Sequence, residues 1–204
     1  MLKEKSKTWN SISEQLGILF SRLPFKPNFY TWSVLPFAAL GFIAFINWHI
    51  LTGIILFLIA GLFDLIDGAV ARHTHQTSGR GAFLDGSLDR FVDFILLFSY
   101  FWLPISLPFL SLGQWICIGF FFAIMPSFEV AYANHRQAVN DPHEKIIWRI
   151  MNRGEMYFFM LLIPFISQFN SRWAGYLFLL LIVLSAITTF QTLFNTLRLS
   201  KKTL

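Results

Sequence analysis

Six stretches of the chain are predominantly apolar, at about 29–48, 50–71, 82–104, 113–137, 149–169 and 173–197. Each reaches the roughly 20 residues that an α-helix needs to cross the hydrocarbon core of a bilayer. Pro126 and Pro164 fall inside two of them and are expected to kink those helices, which a bundle tolerates where neighbours satisfy the freed carbonyls. A different pattern precedes the first stretch. In "TWNSISEQLGILFSRL" the apolar residues Trp9, Ile12, Leu16, Leu19, Phe20 and Leu23 recur at helical spacing, with Ser and Glu opposite. Lys3, Lys5, Lys7, Arg22 and Lys26 flank it, so it reads as an amphipathic helix lying on the membrane surface, ended by the two prolines of "LPFKPNFYT". The predicted fold class is therefore all-α and integral to the membrane: six transmembrane helices preceded by an N-terminal amphipathic juxtamembrane helix. One membrane domain covers residues 1–204, with a tail and surface helix over 1–26, the bundle over 27–197 and a second tail over 198–204.

Composition supports this. The 204 residues are 55% hydrophobic and 18% aromatic, and only 13% are charged, against roughly 25% in soluble domains; the mean hydropathy is +0.58. The net charge of +5 could indicate a nucleic-acid partner, but in so apolar a chain it reads as loop bias. Lys and Arg concentrate in the N-terminal tail, the 72–81 and 136–149 loops and the C-terminal tail, whereas the linkers near 48, 105–112 and 170 hold only Arg172. An even number of spans then places both termini on the basic, cytoplasmic side. No cleavable leader is expected from the polar first ten residues. Cys117, the single cysteine, lies in an apolar run and is expected to be a small core residue. Trp9 and Trp48 are expected as interface anchors.

Against this background the segment from Asp64 to Asp93 stands out, because it holds five of the eleven acidic residues. Asp64 and Asp67 close the second span, three apart. Asp85, Asp89 and Asp93 open the third, four apart. Either spacing keeps side chains on one helix face, and the short connection makes the two helices antiparallel neighbours. Each charge would cost at least about 2.5–3.5 kcal/mol at the centre of a membrane helix. Cations between the two faces would relieve that cost, and an all-oxygen donor set suits Mg²⁺ or Mn²⁺. No Cys or His joins the set, which argues against zinc; His73 and His75 read as solvated loop residues. On the carboxylates alone, an enzyme and a cation-coupled transporter stand level, and ion pairs with Arg72 or Arg90 are a third reading. Gly68, Gly81 and Arg72 move the balance. Glycine within a helix costs about 1 kcal/mol relative to alanine, so two of them facing carboxylates point to close approach by a ligand. An Arg beside them can hold a phosphate by a forked hydrogen bond.

The whole pattern, Asp64-x-x-Asp67-Gly68-x-x-Ala71-Arg72, eight residues, then Gly81-x-x-x-Asp85-x-x-x-Asp89, resembles the signature of the CDP-alcohol phosphotransferase family. "PNFYT", Pro27 to Thr31, is similar to the PNxxT element that opens that family's first span. The resemblance implies that Asp64, Asp67 and Asp85 bind two divalent cations, with Asp89 beside them. It implies Asp89 as the general base, and Asn28, Thr31, Gly68, Arg72 and Gly81 as the residues that hold the CDP part. The implied substrates are a CDP-linked lipid and a small alcohol acceptor, CMP is the leaving group, and the implied assembly is a homodimer.

A narrower likeness lies in "GAFLDGSLDRFVD", which resembles the variant found in members that use inositol phosphate. Such an acceptor is anionic, and Arg136, Arg149 and Arg153 are the basic residues available for it. "MNRGEMYFF" is loosely similar to an Arg-Glu element of those members, although Met156 stands where a second Arg is expected, and "EVAYANHR" lacks their Arg-Ala-Arg run. Each of these Arg residues also reads as a positive-inside flank. Glycerol phosphate or another small alcohol is the rival acceptor. Asp93 is a candidate partner for Arg90, and Glu129 and Glu155 for orienting an Arg or lining the acceptor pocket.

Overall fold

The computed structural model describes residues 13–138 and 150–200. Trp9, Ile12, Lys3, Lys5, Lys7 and Arg149 lie outside the described residues. Among those described, the regular structure is helical throughout. A first helix, α1, covers 13–21. It is followed by α2 (Pro27–Ile46), α3 (Ile50–His73), α4 (Gly79–Phe98), a 3₁₀ turn (Ser99–Trp102), α5 (Leu112–His135), α6 (Arg153–Ser167) and α7 (Ser171–Ser200). Every predicted span finds its helix. The third differs in its second half, where α-helix gives way to the 3₁₀ turn and extended chain before residue 104. Four helices, α2, α3, α5 and α7, are long and apolar enough to cross a membrane.

Local chemistry sets the boundaries. Pro27 opens α2, where its missing N–H costs no helical bond. Ser111 caps α5 in a reciprocal box with Gln114: the Gln114 N–H donates to Ser111 Oγ at 3.3 Å, and the Ser111 N–H donates to Gln114 Oε1 at 2.9 Å. At the start of α6 the Asn152 N–H donates to Glu155 Oε2 at 2.9 Å. Glu155 is thus the third-position partner in a capping box whose cap residue is Asn152. Pro126 and Pro164 lie within α5 and α6, and so does Pro36 within α2; all three helices run on through them.

The chain divides into two compact units, Met1–Leu96 and Leu97–Leu204. In the first, α2 and α3 form a hairpin through a three-residue turn. Gly41 and Gly53 bring the two backbones together, with the rings of Phe57 and Phe45 laid over them. A Cβ on Gly53 would stand 2.3 Å from the Phe45 ring and 3.0 Å from the Gly41 carbonyl oxygen. Small residues allow such contact between membrane helices, where dispersion replaces the hydrophobic effect. Nearer the end of α3, Tyr30, Ile66 and Val70 form a buried cluster capped by Phe20 and Phe63.

In the second unit α7 packs against α5 and α6. Gly119 of α5 meets the Phe178 ring, which touches Tyr100 edge-on at 5.3 Å. The buried Tyr100 hydroxyl donates to the Met160 carbonyl of α6. Ser185, Thr188, Thr189 and Thr192 give α7 a buried polar stripe. The Thr hydroxyls donate to carbonyls one turn back, at 2.8 Å for Thr188 and Thr192 and 3.0 Å for Thr189, so none needs an outside partner. Cys117 corrects its prediction: it is exposed on α5 and takes no part in the core. The reason is helix phase, since Ile116 and Gly119 occupy the inward face on either side of it.

Candidate active site

The last turns of α3 and the first turns of α4 carry the five aspartates. Ser78 starts α4: its Oγ accepts from the Gly81 N–H at 3.0 Å and its carbonyl from the Ala82 N–H at 3.0 Å. That cap fixes where the helix begins, and so sets the phase of Asp85 and Asp89. Asp64, Asp85 and Asp89 are brought together, each offering a carboxylate oxygen within 4.8 Å of the others. Asp89 is buried, and Asp64 and Asp85 are half-buried.

Three carboxylates at that range repel one another, and burial raises the cost. A hard divalent cation among them removes both penalties, because it takes oxygen ligands and tolerates few other donors. Asp67 supports the same reading from a second direction. It stands outside this trio, is 5% exposed, and its Oδ2 is buried with no hydrogen-bond partner among the described residues. A buried carboxylate oxygen left so is a ligand in search of a cation. The donor set therefore fits Mg²⁺ or Mn²⁺.

Beside the trio lies an open cleft of about 180 Å³. Asn28, Thr31, Gly68, Arg72 and Gly81, the residues that the motif resemblance assigns to CDP, all line it, together with Asp67 and Asp85. Asp85 thus belongs both to the cleft and to the carboxylate trio. Gly68 makes room for the guanidinium, because a Cβ there would stand 3.1 Å from Arg72 Nη1. The second face of that guanidinium is engaged too: Nη2 donates to Ser13 Oγ at 2.8 Å. Arg72 and Asn28 remain exposed to a ligand, and Thr31 is buried at the cleft floor. The cleft so combines two acidic groups at one end with an Arg and small polar groups along its length. It can hold an anion bridged by cations and a polar ring beyond it.

Gln76, Thr77 and Ser78 also line this cleft. Sequence reasoning passed over them as loop, although their place between the two halves of the acidic motif was the available signal. Asp93 pairs with Arg90, whose Nη1 donates to Asp93 Oδ2 at 2.9 Å. Asp93 is 1% exposed, so this ion pair keeps a deeply buried carboxylate compensated. His73 and His75 are both exposed; His75 lies in the turn, as predicted, whereas His73 is the last residue of α3 and not part of the loop.

The two acceptor candidates belong to the second unit. Arg136 caps the end of α5, exposed, with Nε donating to the Tyr132 hydroxyl at 3.1 Å and its guanidinium 5.2 Å from the centre of that ring. Arg153 opens α6, half-buried, and lines a cavity of about 20 Å³ with Asn152, Ser185 and Thr188.

A sequence model of the CDP-alcohol phosphatidyltransferase family matches residues 25–191. Archaetidylinositol phosphate synthase from Aeropyrum pernix is 37% identical over 82 residues, covering 40% of this chain and 42% of that protein. An uncharacterized protein from Aquifex aeolicus is 30% identical over 136 residues, 63% of each chain. The chain therefore spans 42% and 63% of the lengths of these curated relatives. Among solved structures, Mycobacterium tuberculosis phosphatidylinositol phosphate synthase with CDP-DAG bound superposes with a TM-score of 0.72 at 22% identity, over 91% of this chain and 94% of that one. The same enzyme in complex with manganese and citrate gives 0.72 at 22% identity, over 90% and 88%. At that identity the likeness is one of fold.

Proposed function

The chain belongs to the CDP-alcohol phosphatidyltransferase family, and from that premise we propose that it makes a phospholipid by moving a phosphatidyl- or archaetidyl-type group from a CDP-linked lipid to a small alcohol, an inositol phosphate in the first instance. The observation that carries this reading is Asp85, which joins the trio with Asp64 and Asp89 to the cleft lined by Arg72, Gly68 and Asn28. A transporter has no use for that cleft, and the family match removes it as the alternative.

The residues divide the work as follows. Asp64, Asp67, Asp85 and Asp89 would hold two divalent cations, Mg²⁺ or Mn²⁺, which when bound neutralise charge on the diphosphate and on the leaving phosphate. Arg72 forks onto phosphate oxygens, while Asn28, Thr31 and Gly81 seat the cytidine side. Asp89 takes the proton of the acceptor hydroxyl. The hydroxyl oxygen forms a new bond to the phosphorus that carries the lipid, and the bond from that phosphorus to the CMP oxygen breaks. The electron pair leaves with CMP. Positioning and charge neutralisation are most of what such a transfer needs from a protein. Arg136 and Arg153 are proposed to recognise the acceptor phosphate. Support for that acceptor is the product named in both relatives, archaetidylinositol phosphate and phosphatidylinositol phosphate; the manganese held by the mycobacterial enzyme supports the cation.

In the bilayer, α4 and α6 are proposed to complete six crossings, with α1 on the surface and both termini and the cleft on the cytoplasmic side. The supporting features are the basic loops and tails and the apolar second half of α4. A homodimer is the proposed assembly.

The test is CMP release by purified protein given CDP-diacylglycerol or CDP-archaeol, Mg²⁺ or Mn²⁺, and a panel of inositol phosphate, inositol, glycerol phosphate and serine. Release that needs both metal and inositol phosphate is expected. Release with glycerol phosphate alone would replace the acceptor and keep the chemistry. Folded protein that releases no CMP with any acceptor of the panel would overturn the proposal.

A further inference from the structure

Helix α1 does more than rest on the membrane. Its side toward the protein combines two small residues, Ser13 and Gly17, with Phe20. Gly17 is buried against α3, and a Cβ there would stand 2.8 Å from the Ala69 carbonyl oxygen and 3.0 Å from the His73 Cβ. The obstacle is backbone, so any side chain must lift the helix away. One turn earlier, Ser13 Oγ accepts from Arg72 Nη2 at 2.8 Å. One turn later, Phe20 packs edge-on to Tyr30 with ring centres 6.0 Å apart, and the Phe20 carbonyl accepts from the Tyr30 hydroxyl at 3.1 Å. Residues 13, 17 and 20 thus form one docking face at helical spacing. The opposite side presents Ile18 and Leu19, both exposed.

We infer that α1 is a positioning element for the donor cleft, with Ser13 holding the Arg72 guanidinium and Gly17 setting the distance at which it does so. The guanidinium is otherwise a long exposed side chain on the last turn of α3, free to sample many rotamers. Gly68 frees the space on one side of it and Ser13 ties the other. Held so, its remaining donors face the cleft, and binding of an anion loses less conformational entropy. Because Ile18 and Leu19 are exposed on the outer side of α1 and can enter a bilayer, seating of that helix on a membrane bears on donor affinity. The inference rests on the donor reading of the cleft given above.

The probe is CDP with Mg²⁺, titrated calorimetrically into the full chain. Ser13→Ala should weaken CDP by about 3- to 10-fold, within the net range of an ordinary intramolecular hydrogen bond, and Ser13→Thr should restore it. In an Arg72→Ala background, Ser13→Ala should change nothing further, since its partner is gone. Gly17→Leu should weaken CDP at least as much as Ser13→Ala while Mn²⁺ affinity stays unchanged. Equal losses from Ser13→Ala with and without Arg72 would overturn the inference, as would undiminished CDP affinity in both Ser13→Ala and Gly17→Leu. Wild-type protein that fails to bind CDP, yet binds Mn²⁺, would overturn the donor reading and the inference with it.

Discussion

Two roles are proposed for Asp89, cation ligand and general base, and a single substitution separates them. Asp89 is buried, and its carboxylate lies within 4.8 Å of those of Asp64 and Asp85. Asn keeps the size and one oxygen, and loses the basicity. Asp89→Asn should therefore cut CMP release by about 10²–10⁴-fold, the range for a positioned general base, while CDP binding with Mn²⁺ survives. Turnover near the wild-type rate would take Asp89 out of the base role. Asp67 gives the complementary test. Its buried Oδ2, without a hydrogen-bond partner among the described residues, is available to a cation. Mn²⁺ at a hundredfold its dissociation constant should stabilise the wild-type fold by about 2.7 kcal/mol. In Asp67→Ala that gain should shrink or vanish in a thermal melt; an unchanged gain would remove Asp67 from the ligand set. At this scale the aspartates, glycines and Arg72 could be read from sequence, because spacing on a helix fixes which side chains share a face. Ser13 could not. It sits 59 residues from Arg72, and only the docking of α1 brings them together.

Helix ends show what periodicity misses. The α2, α3 and α5 helices all stop by the same device, in which the N–H two residues past the cap returns to a carbonyl in the last turn. These bonds are His49 to Ala44, Gln76 to Ala71 and Ala138 to Ala133, each 2.9 Å. The residue between must be left-handed, and at each site it is not glycine: Trp48 (φ 61°), His75 (φ 55°) and Gln137 (φ 53°). Glycine is the usual stop signal at this position, so its absence hid the boundaries. An L-residue with a side chain pays about 1–2 kcal/mol there. His75→Gly should therefore stabilise the fold by about 0.5–1 kcal/mol, the remainder being lost to the freer unfolded chain. Chemical denaturation reads this directly, and a lower midpoint would mean that His75 makes a contact worth more than the strain. The helices themselves were legible, since six long apolar runs leave few alternatives. The 3₁₀ turn after Phe98 was not, because "SYFW" continues the apolar run without a break.

At the scale of the whole molecule, four of the described helices are long and apolar enough to cross a membrane, and the proposed six-crossing topology depends on α4 and α6. Each falls short for its own reason. The α6 helix has 15 residues, about 22 Å at 1.5 Å per residue, against a core of about 30 Å. The α4 helix has 20 residues but carries Asp85, Asp89, Arg90 and Asp93. Most of that charge is sequestered: Asp89 is 8% exposed, Asp93 is 1% exposed, Arg90 pairs with Asp93, and Asp85 is half-buried. Sequestered in this way they avoid most of the cost of a charge in hydrocarbon, and Phe91, Phe94 and Phe98, all exposed, give α4 an apolar outer side. So α4 should cross. Thr77 lies just before it, between Arg72 in the last turn of α3 and Arg80 in the first turn of α4, and Ser106 lies after it, in a linker with no Lys or Arg. In a Cys117→Ser background, cysteines at the two positions should label from opposite sides of the membrane. An impermeant maleimide applied to intact cells should reach Ser106→Cys and spare Thr77→Cys until the cells are opened. Labelling of both from one side would mean that α4 lies along the membrane instead of through it. Both termini would then no longer share a side, and the charge bias behind the proposed cytoplasmic placement of the cleft would have to be read again from its remaining loops.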